Sequence, residues 1–126
     1  FKKILIIGHL GKTVKLASGI FHTHSRIADG RLETIAAWLG ILGAKPSFLK
    51  DVLAQVTTEG AITLIREQGY EEVFEILARK GEERCKRYLR GQVEEVGLVI
   101  TDIKGNPLGL GPGARKIGGE LDWAIK

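Results

Sequence analysis

The alternation of apolar and polar positions divides the chain into a short strand, a series of helices and a second strand. Lys3 to Ile7 is almost uninterrupted apolar sequence ending at Gly8, the pattern of a strand buried on both faces as in a parallel sheet. Beyond Gly11, Val14, Ala17 and Phe21 recur at helical spacing and predict a helix from Lys12 to about Ile20. Phe21 to Gly30 is polar and without period, which reads as a loop. Asp29 then caps a helix from Gly30 to about Leu42, with Leu32, Ile35, Ala36 and Leu39 as its core stripe. Gly43 ends that helix, and Pro46 lies just beyond.

The middle of the chain reads as helical. Ser47 is placed to cap a helix carrying Leu49, Val52, Leu53 and Val56. Thr57 or Thr58 caps another through Ile62 and Ile65, closed by Gly69. A third runs from about Tyr70 to Leu89, acidic at its start and basic towards its end, as the helix dipole favours, with Gly81 as a point of breaking or bending. Val96 to Ile103 reads as the second strand, followed by a turn at Lys104 to Pro107. The stretch from 109 to 119, with five glycines and a proline, reads as a loop or tail.

This order predicts an α/β fold, a helix-rich, three-layer Rossmann-like unit. The boundaries are 1–103 for the α/β domain and 104–126 for a Gly-rich carboxy-terminal tail. So few strands make a poor independent sheet. The chain also opens on Phe1, almost directly into an apolar run. Both features lead us to expect part of a larger two-domain protein whose amino-terminal half is absent.

Composition narrows the partners. The 126 residues carry a net charge of +4, which suits an anionic ligand. Aromatics make up 6% and do not alternate with basic residues, so base-stacking platforms for nucleic acid are poorly supplied. No stretch approaches the ~18 apolar residues of a membrane helix. Cys85 stands alone, which rules out a disulfide framework within the chain and fits a cytoplasmic location. Its basic neighbours Arg84, Lys86 and Arg87 can lower a thiol pKa. No base or oxyanion site accompanies it, so it reads as structural.

Side-chain chemistry concentrates in Gly8 to Glu33, GHLGKTVKLASGIFHTHSRIADGRLE. This run holds all three histidines, and Lys12, Lys15, Arg26 and Arg31 against only Asp29 and Glu33. It lies where a strand gives way to a helix, the end of an α/β sheet at which ligands bind. Gly11-Lys12-Thr13 is not a phosphate loop, because that motif needs a glycine where Ile6 stands. His22 and His24, with His9 or Asp29, have the ligand types of a metal site, and a metal-dependent hydrolase is one reading. A basic, non-catalytic module binding an anion or nucleic acid is another.

The same run resembles the signature of the CbiD family, the cobalt-precorrin-5B methyltransferases of anaerobic cobalamin biosynthesis. The matching residues are Gly8-His9, Gly11-Lys12, Lys15-Leu16-Ala17, Gly19, Thr23-His24-Ser25-Arg26, Ala28-Asp29-Gly30-Arg31 and Glu33. Gly43-Ala44 and Thr57-Thr58-Glu59 resemble the family more weakly. His22 departs from the pattern, which has Asn or Asp there. The resemblance implies methyl transfer from S-adenosylmethionine to carbon 1 of a cobalt tetrapyrrole, with this chain as the carboxy-terminal half of the enzyme. It implies that the cobalt belongs to the substrate, with no metal site in the protein and no nucleic-acid or membrane partner. His9, Lys12, Lys15, Thr23, Ser25, Arg26 and Arg31 then become candidates for binding the substrate's carboxylate arms. His24 and Asp29 are the catalytic candidates, clustered with Arg31, and Gly8 and Gly11 the cofactor-binding ones.

Overall fold

The computed structural model describes residues 3–17 and 31–120. Among them, six helices and three strands form a mixed α/β fold. The strands are β1 (Lys3–His9), β2 (Glu95–Thr101) and β3 (Pro107–Leu110). The helices are α1 (Leu10–Ala17), α2 (Arg31–Ile41), α3 (Pro46–Leu53), α4 (Thr58–Glu67), α5 (Glu72–Tyr88) and α6 (Pro112–Glu120). The sheet order is β1-β2-β3, with β1 parallel to β2 and β3 antiparallel to it.

β2 shows why helices cover both faces of the sheet. It is buried along almost its whole length, so both sets of alternating side chains need an apolar partner. Leu98 and Ile100 join a core with Leu10 and Val14 of α1 and Val73, Phe74, Leu77 and Ala78 of α5. Val99 points the other way and packs with Leu110 of β3 and Ala114 of α6. The expected stripe of α2 is present, with Ile35, Ala36 and Leu39 buried and Leu32 half-buried against the same core.

Several boundaries differ from the sequence reading for identifiable reasons. β1 runs on to His9, and α1 follows at once from Leu10 rather than from Lys12. The helical frame is set by Leu10, Val14 and Ala17, all buried, which places Gly11 inside the first turn. Helix α3 starts on Pro46, with Lys45 in the extended N-cap position rather than Ser47. It ends at Leu53, and Val56, expected on its apolar face, is 89% exposed. Helix α4 behaves as its sequence suggests: the Thr57 hydroxyl accepts from Gly60 N–H at 3.2 Å, and Gly69 has φ +76. Gly81 does not break α5; it lies buried inside the helix.

The largest correction concerns the stretch from 109 to 119. It is neither loop nor tail, but contributes to β3 and α6. Its glycines permit close approach. A Cβ on Gly109 would lie 2.5 Å from the Phe74 carbonyl carbon, and one on Gly113 would lie 2.0 Å from the Val96 oxygen. β2 meets α6 in the same way, since a Cβ on Gly97 would lie 2.7 Å from Ala114 Cα. The second strand ends two residues earlier than expected, at Thr101, because Asp102 starts the turn. The Asp102 carboxylate accepts from the N–H groups of Lys104 and Asn106, each at 2.9 Å, and from the Asn106 side chain at 3.0 Å.

Glu82 joins these layers. Its side chain leaves α5 and accepts from Leu98 N–H at 2.8 Å, Gly113 N–H at 2.8 Å and Ala114 N–H at 2.9 Å. The carboxylate therefore continues the pairing of β2 beyond the end of β3 and caps α6. Burial is the largest influence on it and raises its pKa above the ordinary 4.5, while the three N–H groups pull in the opposite direction.

Replacing Glu82 with Ala strands three buried N–H groups and is expected to cost about 3 kcal/mol or more in denaturant unfolding. The native carboxyl binds its proton more tightly than the unfolded one. Glu82's contribution to stability therefore falls as pH rises from 4.5 through the folded pKa. Glu82→Gln is expected to flatten the stability profile in that window; an unchanged slope would contradict the assignment.

Candidate functional site

The parallel pair β1–β2 sets up the site. Its register matches His9 with Thr101, so both strands end side by side at the carboxyl edge of the sheet. The first turns of α1 and α4 meet at this edge. His9 stands where β1 passes directly into α1. The buried Thr13 hydroxyl donates to the His9 carbonyl at 3.0 Å and fixes that junction.

Gly11 accounts for the position of the His9 side chain. A Cβ on Gly11 would lie 3.1 Å from His9 Cε1, 3.2 Å from its Nδ1 and 3.2 Å from Thr58 Oγ1. The imidazole thus folds over the first turn of α1, with the buried Thr58 of α4 beside it. Gly8 is explained in the same way, since a Cβ there would lie 3.0 Å from Thr13 Cγ2. The space left by both glycines is filled by the protein's own side chains.

Of the other expected site residues, Lys12 is exposed on α1, and Lys15 lies on the same helix. Arg31 is half-buried at the start of α2. It borders a cleft of about 190 Å³ with Leu32, Glu33, Gln55, Val56 and Thr58. Thr58 therefore links the two groups, with His9 and Gly11 on one side and Arg31 on the other. Thr23, His24, Ser25, Arg26 and Asp29 lie outside the described residues, as do His22 and Gly30. The expected cluster of His24, Asp29 and Arg31 falls largely there.

Sequence reasoning missed the importance of the first turn of α4. Thr58 reads in the sequence as a possible helix cap, and Glu59 only as part of a weak family resemblance. In the fold, Glu59 Oε1 accepts from Ile103 N–H at 3.3 Å, tying α4 to the turn after β2. Its Oε2 is buried without a hydrogen-bond partner among the described residues. An unmatched buried carboxylate oxygen marks a place where a donor is wanted. Ile103 is 69% exposed beside it. The only signal in the sequence was the resemblance of Thr57-Thr58-Glu59 to the family pattern.

The remaining candidates separate from this edge. Asp102 is next to it in sequence, but its carboxylate is committed to its own turn. The Asn106 side chain, with backbone N–H groups, lowers its pKa below the ordinary 3.8. Cys85 is buried, and burial first, then the charge of Glu82, raises its thiol pKa. Its basic neighbours in sequence are exposed and do not reverse this. Among the described residues no three His, Cys, Asp or Glu side chains are grouped to hold a metal. Larger clefts of about 580 and 300 Å³ open beside Pro112 at the start of α6. They contain no histidine. Arg115 pairs with Glu75 and Lys116 with Glu95, while Glu82 takes the N–H groups of α6.

The family described as "CbiD, C-terminal domain" matches residues 22–112. Curated relatives include proteins named cobalt-precorrin-5B C(1)-methyltransferase. That of Alkaliphilus metalliredigens is 50% identical over 103 residues, covering 82% of this chain and 27% of the relative. That of Tolumonas auensis is 45% identical over 111 residues, covering 86% and 29%. That of Fusobacterium nucleatum is 37% identical over 126 residues, covering 100% and 32%. The chain spans about a quarter to a third of the length of these relatives. No solved structure gives a significant match.

Gly11→Ala separates packing from stability. Alanine gains roughly 0.5–1 kcal/mol over glycine inside a helix, while the added methyl must push His9 aside by a few tenths of an ångström. Unfolding free energy is expected to change by less than about 1 kcal/mol. The His9 ring resonances should shift. Unshifted resonances would contradict the contact.

Proposed function

Because the chain belongs to the CbiD family, through its carboxy-terminal domain, we propose that it is the carboxy-terminal part of a cobalt-precorrin-5B C(1)-methyltransferase. The observation that carries this reading is the 37–50% identity to proteins of that name over most of the chain. The reaction is methylation of carbon 1 of the cobalt tetrapyrrole in anaerobic cobalamin biosynthesis. S-adenosylmethionine is the methyl donor, and the cobalt is carried by the substrate. The amino-terminal part of the enzyme completes the protein. The helices on both faces of the sheet support a three-layer, Rossmann-like unit. No described helix is long and apolar enough to cross a membrane, and we place the enzyme in the cytoplasm.

In this reading the carboxyl edge of β1–β2 receives the substrate. Its acetate and propionate arms are recognised by Lys12, Lys15, Arg26 and Arg31, the arginines through paired N–H donors and the lysines as point charges. His9, Thr23 and Ser25 donate hydrogen bonds at the ring periphery. His24 and Asp29, with Arg31, shape the pocket, and His24 handles any proton at the reacting edge. S-adenosylmethionine supplies an electrophilic methyl group when bound. The first turn of α1 suits its carboxylate, because the leading N–H groups of a helix lack intrahelical partners. Gly8 and Gly11 contribute there through the backbone, since Thr13 and His9 fill the space beside them. Methyl transfer is an in-line displacement, so rigid placement of both reactants supplies much of the rate.

Binding of a cobalt tetrapyrrole to the full-length enzyme, followed by its absorption spectrum, tests the site. Arg31→Ala is expected to weaken binding about tenfold, the loss of one charge-assisted contact worth roughly 1.4 kcal/mol. Unchanged affinity would remove Arg31 from the site. Failure to bind the tetrapyrrole, together with steeply salt-dependent binding of DNA or RNA, would favour a basic, non-catalytic module instead.

A further inference from the structure

β1 and β2 have similar apolar character but very different burial. β2 is buried along almost its whole length, whereas in β1 Ile4, Leu5 and Ile6 are half-buried and Ile7 is 60% exposed. Two features of the fold cause this. Among the described residues β1 is an edge strand, paired only with β2. The helix on that face also stops short: Ala114 of α6 packs with Val99, Leu110 and the half-buried Leu5, while Ile7, on the same face as Leu5, stays uncovered.

An edge strand of this kind is unusual in a finished fold. Natural edges are blunted by charges, proline or a bulge. β1 (KILIIGH) has no proline, its register with β2 is unbroken, and its lysine is at its start. Sheets built from parallel strands occur almost only with both faces covered, and β1 pairs β2 in parallel. The strand therefore has the sequence of an interior strand and the surroundings of an edge.

We infer that the open side of β1 is the docking surface for the amino-terminal part of the same enzyme, which adds a strand beside Lys3–His9 and covers Ile7. This rests on the reading that the chain is part of a longer methyltransferase. The relatives are about three times its length, and the matched family is described as a carboxy-terminal domain. Strand addition pairs the outer edge of Ile4–His9, which meets no strand other than β2 among the described residues, and supplies the missing apolar cover in one step. It also brings the added strand past His9, so the same contact that completes the sheet walls the carboxyl edge where the substrate is received.

Two measurements on the full-length enzyme test this. With Ile7→Cys, the introduced thiol is expected to react about tenfold more slowly than that of Ile41→Cys, whose position is 71% exposed on α2. Equal reactivity overturns the proposal. A benzophenone amino acid at position 7 is expected to cross-link, on irradiation, to peptides of the amino-terminal part. Cross-links confined to residues 1–126, cross-links to a second copy, or protection of the Ile7→Cys thiol that grows with protein concentration each overturn it. Methyl transfer by the unsubstituted enzyme is assayed in parallel. An enzyme that cross-links as expected but transfers no methyl group keeps the docking surface and loses the proposed reaction. An active enzyme without the cross-link does the reverse.

Discussion

The Glu82 carboxylate holds together the layers on which the site depends. It leaves α5 on one face of the sheet, takes the N–H of Leu98 on β2 and caps α6 on the other face through Gly113 and Ala114. A buried carboxylate is costly unless its oxygens are fully engaged, and here three backbone donors engage them. The geometry admits little else. A Cβ on Gly111 would lie 2.2 Å from the Glu82 carboxyl carbon, and one on Gly113 would lie 3.0 Å from its Oε1. The glycines around Pro112 are therefore the space into which the carboxylate fits.

Fixing β2 in this way fixes its carboxyl end, and with it the register that sets Thr101 beside His9. The site is then assembled by short-range contacts. Thr13 ties the strand-to-helix junction, Gly11 admits the His9 ring, and Thr58 joins that ring to the cleft bordered by Arg31. Glu59 ties the first turn of α4 to the turn after β2. Rigid elements thus position the described part of the candidate site, as the proposed methyl transfer would require.

Elements whose signals are local could be read from the sequence. Thr57 caps α4 and Gly69 follows it with positive φ, while Gly43, with φ +92, stops α2; each acts within a few residues of its own helix. Features that depend on distant partners could not. Glu82 looks like any surface glutamate of an amphipathic helix, because its hydrogen-bond partners lie 16 to 32 residues away. The glycines from 109 to 119 resemble those of a flexible tail, because close backbone packing and disorder favour the same residue. The apolar face of α1 at Val14 and Ala17 is legible, but its start reads two residues late because Gly11 looks like a helix start, when the buried Leu10 before it is the better guide. At the candidate site, Gly8, His9 and Gly11 stand out in the sequence as a motif. The reason for Gly11 does not, since it needs Thr58, brought in from 47 positions along the chain.

The central claim is that a methyltransferase receives its substrate at this carboxyl edge. The most direct measurement is anaerobic transfer of labelled methyl from S-adenosylmethionine to the cobalt tetrapyrrole by the full-length enzyme, alongside Thr58→Val. That substitution keeps the shape beside His9 and removes its hydroxyl. The account predicts label in the macrocycle with the unsubstituted enzyme and a clear loss of turnover in the folded variant. No transfer by an enzyme supplied with freshly made substrate would contradict the proposed reaction, and full turnover by the variant would contradict the placement of the site.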